Sequence, residues 1–180
     1  MVGGDLDYWN DSLGYLQLAE LVEAGITHIV DARVEASSEL FVAEFAPEVT
    51  YLHHGMDDAG QQVPGEWFDL GVDFALEAMT GPDAIVLTHC HMGINRGPSL
   101  GYAVLLGLGW DPVEALDSIR SARPIAAIGY AEDALAWHHS RTGTSVATRR
   151  DDRRRVAQWR RDNDIDVATI IRRLRDTEAG

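Results

Sequence analysis

The chain has 180 residues, of which 46% are hydrophobic, and a formal net charge of −14 at pH 7. These values predict one folded domain with a modest extension and exclude a chain that is disordered throughout. The acidic balance argues against general nucleic-acid binding, which depends on basic surfaces that neutralise phosphates. Residues 1–11 lack the pattern of a signal peptide, and no apolar stretch is long enough for a transmembrane helix.

The cysteine content indicates a cellular location, and the charge distribution divides the chain into two parts. The single cysteine cannot form an internal disulfide, so a reducing cytoplasm is the expected location. Residues 1–140 contain 4 Arg and 22 acidic residues, whereas residues 141–180 contain 11 Arg and 7 acidic residues. We therefore expect an acidic body followed by a basic C-terminal extension.

Helices and strands alternate along the predicted body. Residues 2–9 favour a short strand pair around Gly3-Gly4. Asp11-Ser12 can cap a helix that ends at Gly25, because glycine suits the position after a helix. The later elements, in order, are a strand at 26–32, a helix at 37–47, a strand at 49–53, a helix at 65–79, a strand at 84–88, and helices at 98–108, 111–121 and 131–140. This alternation predicts an α/β sandwich around a mostly parallel sheet.

The C-terminal extension has its own pattern. We place one folded domain at residues 1–141 and, at residues 142–180, an Arg-rich amphipathic helical extension that is not an independent domain. The extension begins with a linker at 142–148, and Val167, Ile170, Ile171 and Leu174 repeat at helical spacing. The favoured partner for this apolar stripe is the acidic body of the same chain or a second copy in a homodimer. A nucleic acid or an anionic membrane is the alternative, which the interspersed acidic residues disfavour.

The candidate functional site lies in one stretch around the only cysteine. The apolar strand at 84–88 leads into a loop with Cys90 and Gly93, then Arg96, and Pro98 suits a first helical turn. Loop amides, a helix N-terminus and a guanidinium together favour a tetrahedral oxyanion. They can also lower a thiol pKa from about 8.5 to roughly 3.5–7.5. We therefore predict that Cys90 is a thiolate nucleophile rather than a small buried hydrophobic residue.

The neighbours of Cys90 have expected roles in the same site. Three residues are expected to support the loop: His89, Gly97 and Ser99. The expected phosphate-binding residues are His91, Met92, Gly93, Ile94, Asn95 and Arg96. A zinc site is not favoured, because the spacing fits no common zinc pattern and a metal on Cys90 would block the nucleophile. Its candidate ligands would be His89-Cys90-His91, His53-His54 and His138-His139. No metal and no cofactor are expected.

The motif His89-Cys90-x5-Arg96 resembles the signature of the cysteine-dependent protein tyrosine phosphatases, and the surrounding chain is most similar to their dual-specificity branch. Residues 25–30, Trp67-Phe68 and the Ile119-Arg120-x2-Arg123-Pro124 segment resemble further family segments. The resemblance covers about residues 10–138. It implies a central, mostly parallel sheet of about four or five strands flanked by helices.

The resemblance also implies a general acid on a loop before the signature. Met56-Asp57-Asp58-Ala59 offers two carboxylates, and Asp58 lies 32 positions before Cys90 and ten before Phe68. We choose Asp58, with Asp57 as the alternative. The implied reaction is hydrolysis of a phosphomonoester through a cysteinyl-phosphate intermediate, with inorganic phosphate as a product and no metal.

Two departures from the family pattern affect what can be inferred. Gly97 stands where relatives have Ser or Thr, so slower breakdown of the intermediate is expected. Residues 125–130 lack the usual Pro-Asn. The resemblance implies a phosphorylated protein as substrate, with phosphotyrosine first and phosphoserine or phosphothreonine second. The alternatives are a phosphoinositide, sugar phosphate or RNA 5′ end, a phosphate-binding module without turnover, and a rhodanese-like sulfur transferase.

Overall fold

A computed structural model describes residues 1–7 and 10–178. The four strands found there are β1 (Val2–Gly3), β2 (His28–Arg33), β3 (Thr50–Met56) and β4 (Val86–His89). The helices are α1 (Asp11–Glu23), α2 (Glu39–Phe45), α3 (Gly65–Ala78), α4 (Arg96–Gly107), α5 (Pro112–Ala122), α6 (Ala131–Thr142), α7 (Val146–Asp162) and α8 (Val167–Glu178). Among the described helices, none has the length and apolarity needed to cross a membrane.

The strands form one parallel sheet in the order β1-β4-β2-β3. The predicted α/β sandwich with a central sheet of four or five strands is thereby confirmed. The predicted strand pair around Gly3-Gly4 is wrong, because β1 is a single strand that pairs with β4, with Val2 opposite Thr88. The end of that predicted pair, Tyr8 and Trp9, lies outside the described residues.

The core occupies both faces of the sheet. Along β2, Val30 belongs to a large cluster under α3 to α6, whereas Ile29 belongs to a smaller cluster under α1 and α2. Val86 and Leu87 of β4 divide in the same way. Successive strand residues point to opposite faces, so adjacent apolar residues such as Ile29-Val30 fit a sheet that is covered on both sides.

Helix ends and faces correct the sequence predictions in detail. Asn10, rather than Asp11-Ser12, caps α1 by accepting from the Leu13 amide. In α3, Leu70 is 53% exposed, although its helical spacing from Trp67 favours a buried position. At the start of α5, the Asp111 carboxylate caps the helix by accepting from two amides of the first turn.

The basic extension packs on the body of its own chain. Its helical part begins at Val146, so the connection after α6 is shorter than the predicted linker at 142–148. Val156 and Trp159 of α7 are buried in the large core cluster, and Asp152 bonds to the buried His139 of α6 at 2.9 Å. A homodimer through the C-terminal helix stays a prediction.

Val156→Ala tests how strongly α7 is held against the body. Val156 is fully buried, so removing two methyl groups should lower the free energy of unfolding by about 1–3 kcal/mol. Val146→Ala is the matched control, because Val146 lies on the same helix and is 76% exposed. Urea denaturation measures both, and equal losses would contradict the packing of α7.

Candidate active site

Three strand ends meet at one edge of the sheet and define the site. The strands are parallel, so the carboxyl ends of β2, β3 and β4 share that edge. Cys90 is the first residue after β4 and is 3% exposed. Residues 91–95 then form a loop that ends at the N-terminus of α4. The site is therefore built where such sheets usually bind ligands.

The backbone carbonyls of this loop point away from its interior, toward other parts of the chain. Each of four successive carbonyls accepts from a group outside the loop: His91 from the Asp5 amide (2.9 Å), Met92 and Gly93 from the Arg123 guanidinium (2.8 and 2.7 Å), and Ile94 from the Ala127 amide (2.7 Å). None of the amides at 91–95 donates to another group within residues 1–7 and 10–178. Since a trans peptide directs its C=O and N–H oppositely, these amides face the loop interior and can bind an anion.

Gly93 is required at the tightest point of this loop. Its φ is +62°, a conformation that side chains disfavour. A Cβ there would lie 2.5 Å from the Gly3 carbonyl and 2.6 Å from Arg123 Nε. The loop can therefore approach β1 and Arg123 only because residue 93 is glycine.

Hydrogen bonds hold the two terminal nitrogens of the Arg96 guanidinium, whereas its Nε has no partner among the described residues. Its two terminal nitrogens bind the Glu35 carboxylate at 2.7 and 2.6 Å, and one of them also donates to the Met56 carbonyl at 2.9 Å. Nε is buried without a hydrogen-bond partner, and Asp58 Oδ2 lies 3.7 Å from it. The Nε edge thus keeps two N–H groups for an oxyanion.

The structure brings Asp58, not Asp57, into the cleft that contains Cys90. Asp58 Oδ1 accepts from Asn95 Nδ2 at 2.6 Å and from the Tyr130 hydroxyl at 3.0 Å. Burial, followed by this bond to Asp58, raises the pKa of Tyr130. Asn95 and Tyr130 therefore hold the carboxylate over the loop.

Three further residues support the site: His89, His91 and Arg123. His89 is buried with Nε2 3.6 Å from Asp31, and burial lowers its pKa while Asp31 acts in the opposite direction. His91 lies at the rim, half-exposed, with Nδ1 2.8 Å from Asp5 Oδ2. Burial also lowers the pKa of Arg123, whose bonds to the Met92 and Gly93 carbonyls place its guanidinium against the loop of Cys90.

Gly97 and Ser99 do not place a hydroxyl beside Cys90. A Cβ at Gly97 would lie 2.8 Å from the backbone of His89 and 3.0 Å from the Cys90 amide nitrogen. The buried Ser99 hydroxyl donates to Asn95 Oδ1 at 3.3 Å and accepts from the Tyr130 amide at 3.2 Å. Ser99 thus supports Asn95, and close packing explains the glycine at 97.

The cleft above the loop has a volume of about 530 Å³. Its loop side includes Met92 and Ile94, and its opposite side comes from the C-terminal extension, with Trp159, Ile165 and Ile171. The sequence pattern assigned no site role to the extension. Nothing in its spacing shows which helix face would meet the cleft.

Crystal structures of three proteins share this architecture. Human DUSP28 aligns with a TM-score of 0.60 at 19% identity, covering 71% of this chain and 87% of its own. PTPMT1 aligns at 0.62 and 20%, covering 79% and 90%, and DUSP15 at 0.58 and 18%, covering 87% and 89%. The chain has the dual-specificity phosphatase fold. No protein-family model matches the sequence.

Histidines outside the loop have structural partners. His53 Nε2 lies 2.6 Å from the Arg33 carbonyl oxygen, and His54 Nε2 lies 2.7 Å from that of Trp67. In the part of the chain that the structure describes, no three His, Cys, Asp or Glu residues are grouped to hold a metal ion.

Several site residues were not identified from the sequence. Glu35, Tyr130 and Asp5 act through contacts with residues 61, 72 and 86 positions away, and no local spacing marks them. Arg123 is different, because the Arg123-Pro124 pair was part of the family resemblance. Its two bonds to loop carbonyls explain why an arginine suits that position.

Gly97→Ala tests the packing of α4 against the end of β4. The new Cβ would overlap the His89 backbone, which should lower the free energy of unfolding by about 1–3 kcal/mol. Gly81→Ala is the control, since its Cβ would meet nothing closer than 3.4 Å. Urea denaturation of both variants gives the comparison, and an unaffected Gly97→Ala protein would show that α4 has room to shift.

Glu35→Gln tests the ion pair that orients Arg96. Hydrogen bonding to Arg96 lowers the pKa of Glu35 from 4.5 to about 2. This lowered pKa stabilises the fold above pH 4.5, and the contribution is lost as pH falls toward 2. Because Glu35 is 47% exposed, wild type should exceed the variant by only about 1 kcal/mol at pH 7. Urea denaturation at pH 7 and pH 3 should show the difference shrinking at pH 3, and a constant difference would contradict the ion pair.

Proposed function

We propose that the protein is a cysteine-dependent phosphatase that hydrolyses phosphotyrosine and, more slowly, phosphoserine and phosphothreonine in proteins. One observation carries the proposal. Cys90, the open Nε edge of Arg96 and the carboxylate of Asp58 line a single cleft, above a loop whose amides are unpaired within the described residues. A nucleophile, an oxyanion site and a proton donor are the parts that this chemistry needs.

In the first step, the Cys90 thiolate attacks phosphorus. The S–P bond forms as the bond from phosphorus to the ester oxygen breaks, and the electron pair leaves with that oxygen. Asp58, in its protonated form, gives the leaving oxygen a proton. The equatorial oxygens are bound by Arg96 and the loop amides, which stabilise their negative charge.

In the second step, water attacks phosphorus and the S–P bond breaks. Asp58, now a carboxylate, accepts the proton of that water, and the thiolate of Cys90 is restored with inorganic phosphate as the product. Asn95 and Tyr130 hold Asp58 in place for both steps. No hydroxyl replaces the one that relatives carry at position 97, so this step is expected to limit turnover.

An aromatic phosphomonoester suits the walls of the cleft. Met92, Ile94 and Trp159 supply apolar surface beside the phosphate position, which favours a tyrosine ring over a short aliphatic side chain. One PTPMT1 structure is in complex with PI(5)P, so a phosphoinositide is the alternative substrate to compare. With a single cysteine in the chain, we place the activity in the reducing cytoplasm.

A second candidate function is a phosphate-binding module without turnover. The observation that favours it is the packing at Gly97, which leaves no space for the hydroxyl that would assist breakdown of the intermediate. Such a protein would bind inorganic phosphate or vanadate, or would stop after a single burst.

Hydrolysis of p-nitrophenyl phosphate in the presence of a chelator tests the proposal. Wild type should turn over, and Cys90→Ser should abolish turnover because the alcohol is a far weaker nucleophile at neutral pH. For phosphotyrosine, whose leaving oxygen needs a proton, Asp58→Ala should lower kcat by about 10²–10⁴ with little change in KM.

Asp57→Ala is the matched control, since Asp57 is the neighbouring carboxylate outside the cleft. It should retain wild-type kcat. A lower kcat in Asp57→Ala together with a wild-type kcat in Asp58→Ala would show that Asp57, not Asp58, is the general acid. An inert wild type that still binds vanadate would favour the binding module.

A further inference from the structure

We infer that the cleft contains a second anion subsite, formed by Arg120 and Arg175, which selects phosphomonoesters that carry a second anionic group. The inference rests on the proposed phosphatase activity and names the substrate class of the same site. Both arginines line the cleft that contains Cys90, yet neither belongs to the phosphate loop. Arg120 lies on α5, and Arg175 lies on α8 of the extension.

The extension makes this subsite part of the cleft rather than a distant surface. Trp159 of α7 is buried against the body, and Val167 and Ile171 of α8 line the cleft. A substrate whose phosphate binds at Arg96 must therefore place its remaining atoms between the loop and the extension. The apolar lining fits a linker, such as an aromatic ring, between the two anionic groups.

Arg120 is held in place but lacks a close anionic partner. Its guanidinium donates to the carbonyls of Ala126 (2.8 Å) and Asn163 (2.7 Å) and lies 5.1 Å from the Trp159 ring centre. No carboxylate in the described part of the chain lies within 4 Å of it, although the charge of Asp164 acts on it at longer range. Burial lowers its pKa, as expected for a cation that lacks a counterion nearby.

Arg175 has no partner in the described part of the chain. The guanidinium makes no hydrogen bond or ion pair with any residue that the structure describes, and the side chain is exposed at the cleft. Nearby arginines behave differently: Arg160, which also lines the cleft, pairs with Glu132 at 2.9 Å, and Arg155 pairs with Asp111 at 2.7 Å. Arg120 and Arg175 are therefore the cations whose charge is available to a ligand.

The charge distribution explains why such a subsite matters. Residues 1–140 contain 4 Arg against 22 acidic residues, so the body as a whole repels an anionic substrate. Of the four arginines that line the cleft, Arg96 and Arg160 are in ion pairs, whereas Arg120 and Arg175 have none with a described residue. At physiological ionic strength charges act over only about 8 Å, so these two cations, rather than the charge of the whole body, decide which anions bind beside the phosphate.

The second anionic group can come from two sources with the same chemistry. In a protein, it is the carboxylate of a residue beside the phosphotyrosine. In a small molecule, it is a carboxylate attached to an aromatic phosphate. Both would place a negative charge beyond an apolar linker, where Arg120 and Arg175 lie.

Two matched substrate pairs test the inference in steady-state assays. One pair is a phosphotyrosyl peptide with glutamate or glutamine beside the phosphotyrosine, and the other is a phosphorylated hydroxybenzoate or its amide. Wild type should favour the anionic member of at least one pair by about two- to fivefold in kcat/KM, the range for one exposed charge pair. The pair that responds identifies the source.

Arg175→Ala should remove most of that preference, and Arg175→Glu should reverse it, where the preference is the ratio of kcat/KM between the anionic and the neutral member of a pair. The control is Arg172→Ala, which removes the same charge from α8 at a position outside the cleft lining. Equal turnover of both members of both pairs by wild type would overturn the subsite while leaving the phosphatase activity standing. The same loss in Arg172→Ala as in Arg175→Ala would also overturn it, since charge anywhere on α8 would then suffice. A wild type inert toward every substrate would refute the proposed function itself.

Discussion

The site depends on one guanidinium, that of Arg96. It contacts the carbonyls of Ala32 in β2 and Met56 in β3 and the carboxylate of Glu35, while its own residue follows the loop after β4. A single buried cation thus joins three strand ends. The ion pair with Glu35 offsets part of the cost of burying that charge, and the hydrogen bonds fix the plane of the guanidinium. Its Nε edge has no hydrogen-bond partner among the described residues and can bind an oxyanion.

The loop around Cys90 needs outside help to hold its amides inward. A buried carbonyl without a partner is costly, so each outward-facing carbonyl requires a donor at a fixed position. Asp5 supplies one of those donors from the start of the chain, and Arg123 and Ala127 supply the others from the segment between α5 and α6. The short strand β1 therefore has a structural role beyond its two residues, because it brings Asp5 to the loop and passes close under Gly93.

The sequence predictions were accurate where structure is decided by near neighbours. The order of helices and strands, the glycine that follows α1 and the cap at Asp111 all follow from local backbone chemistry. The predictions were wrong where a residue far away in the chain determines the local structure or its burial. Residues 2–3 pair with β4 instead of forming a strand pair around Gly3-Gly4. Leu70 is 53% exposed, although its helical spacing from Trp67 favours burial.

By itself, the sequence determined the α/β fold and the Cys90-x5-Arg96 loop that joins β4 to α4. Both follow from residues that are near neighbours in the chain. Spacing in the sequence favoured Asp58 over Asp57, and the tertiary structure places Asp58 in the cleft. Only the tertiary structure decided that Glu35 and Tyr130 orient the site and that the extension forms a wall. Those contacts join residues far apart in the chain. Side-chain direction and packing, which no local spacing encodes, determine which of them meet.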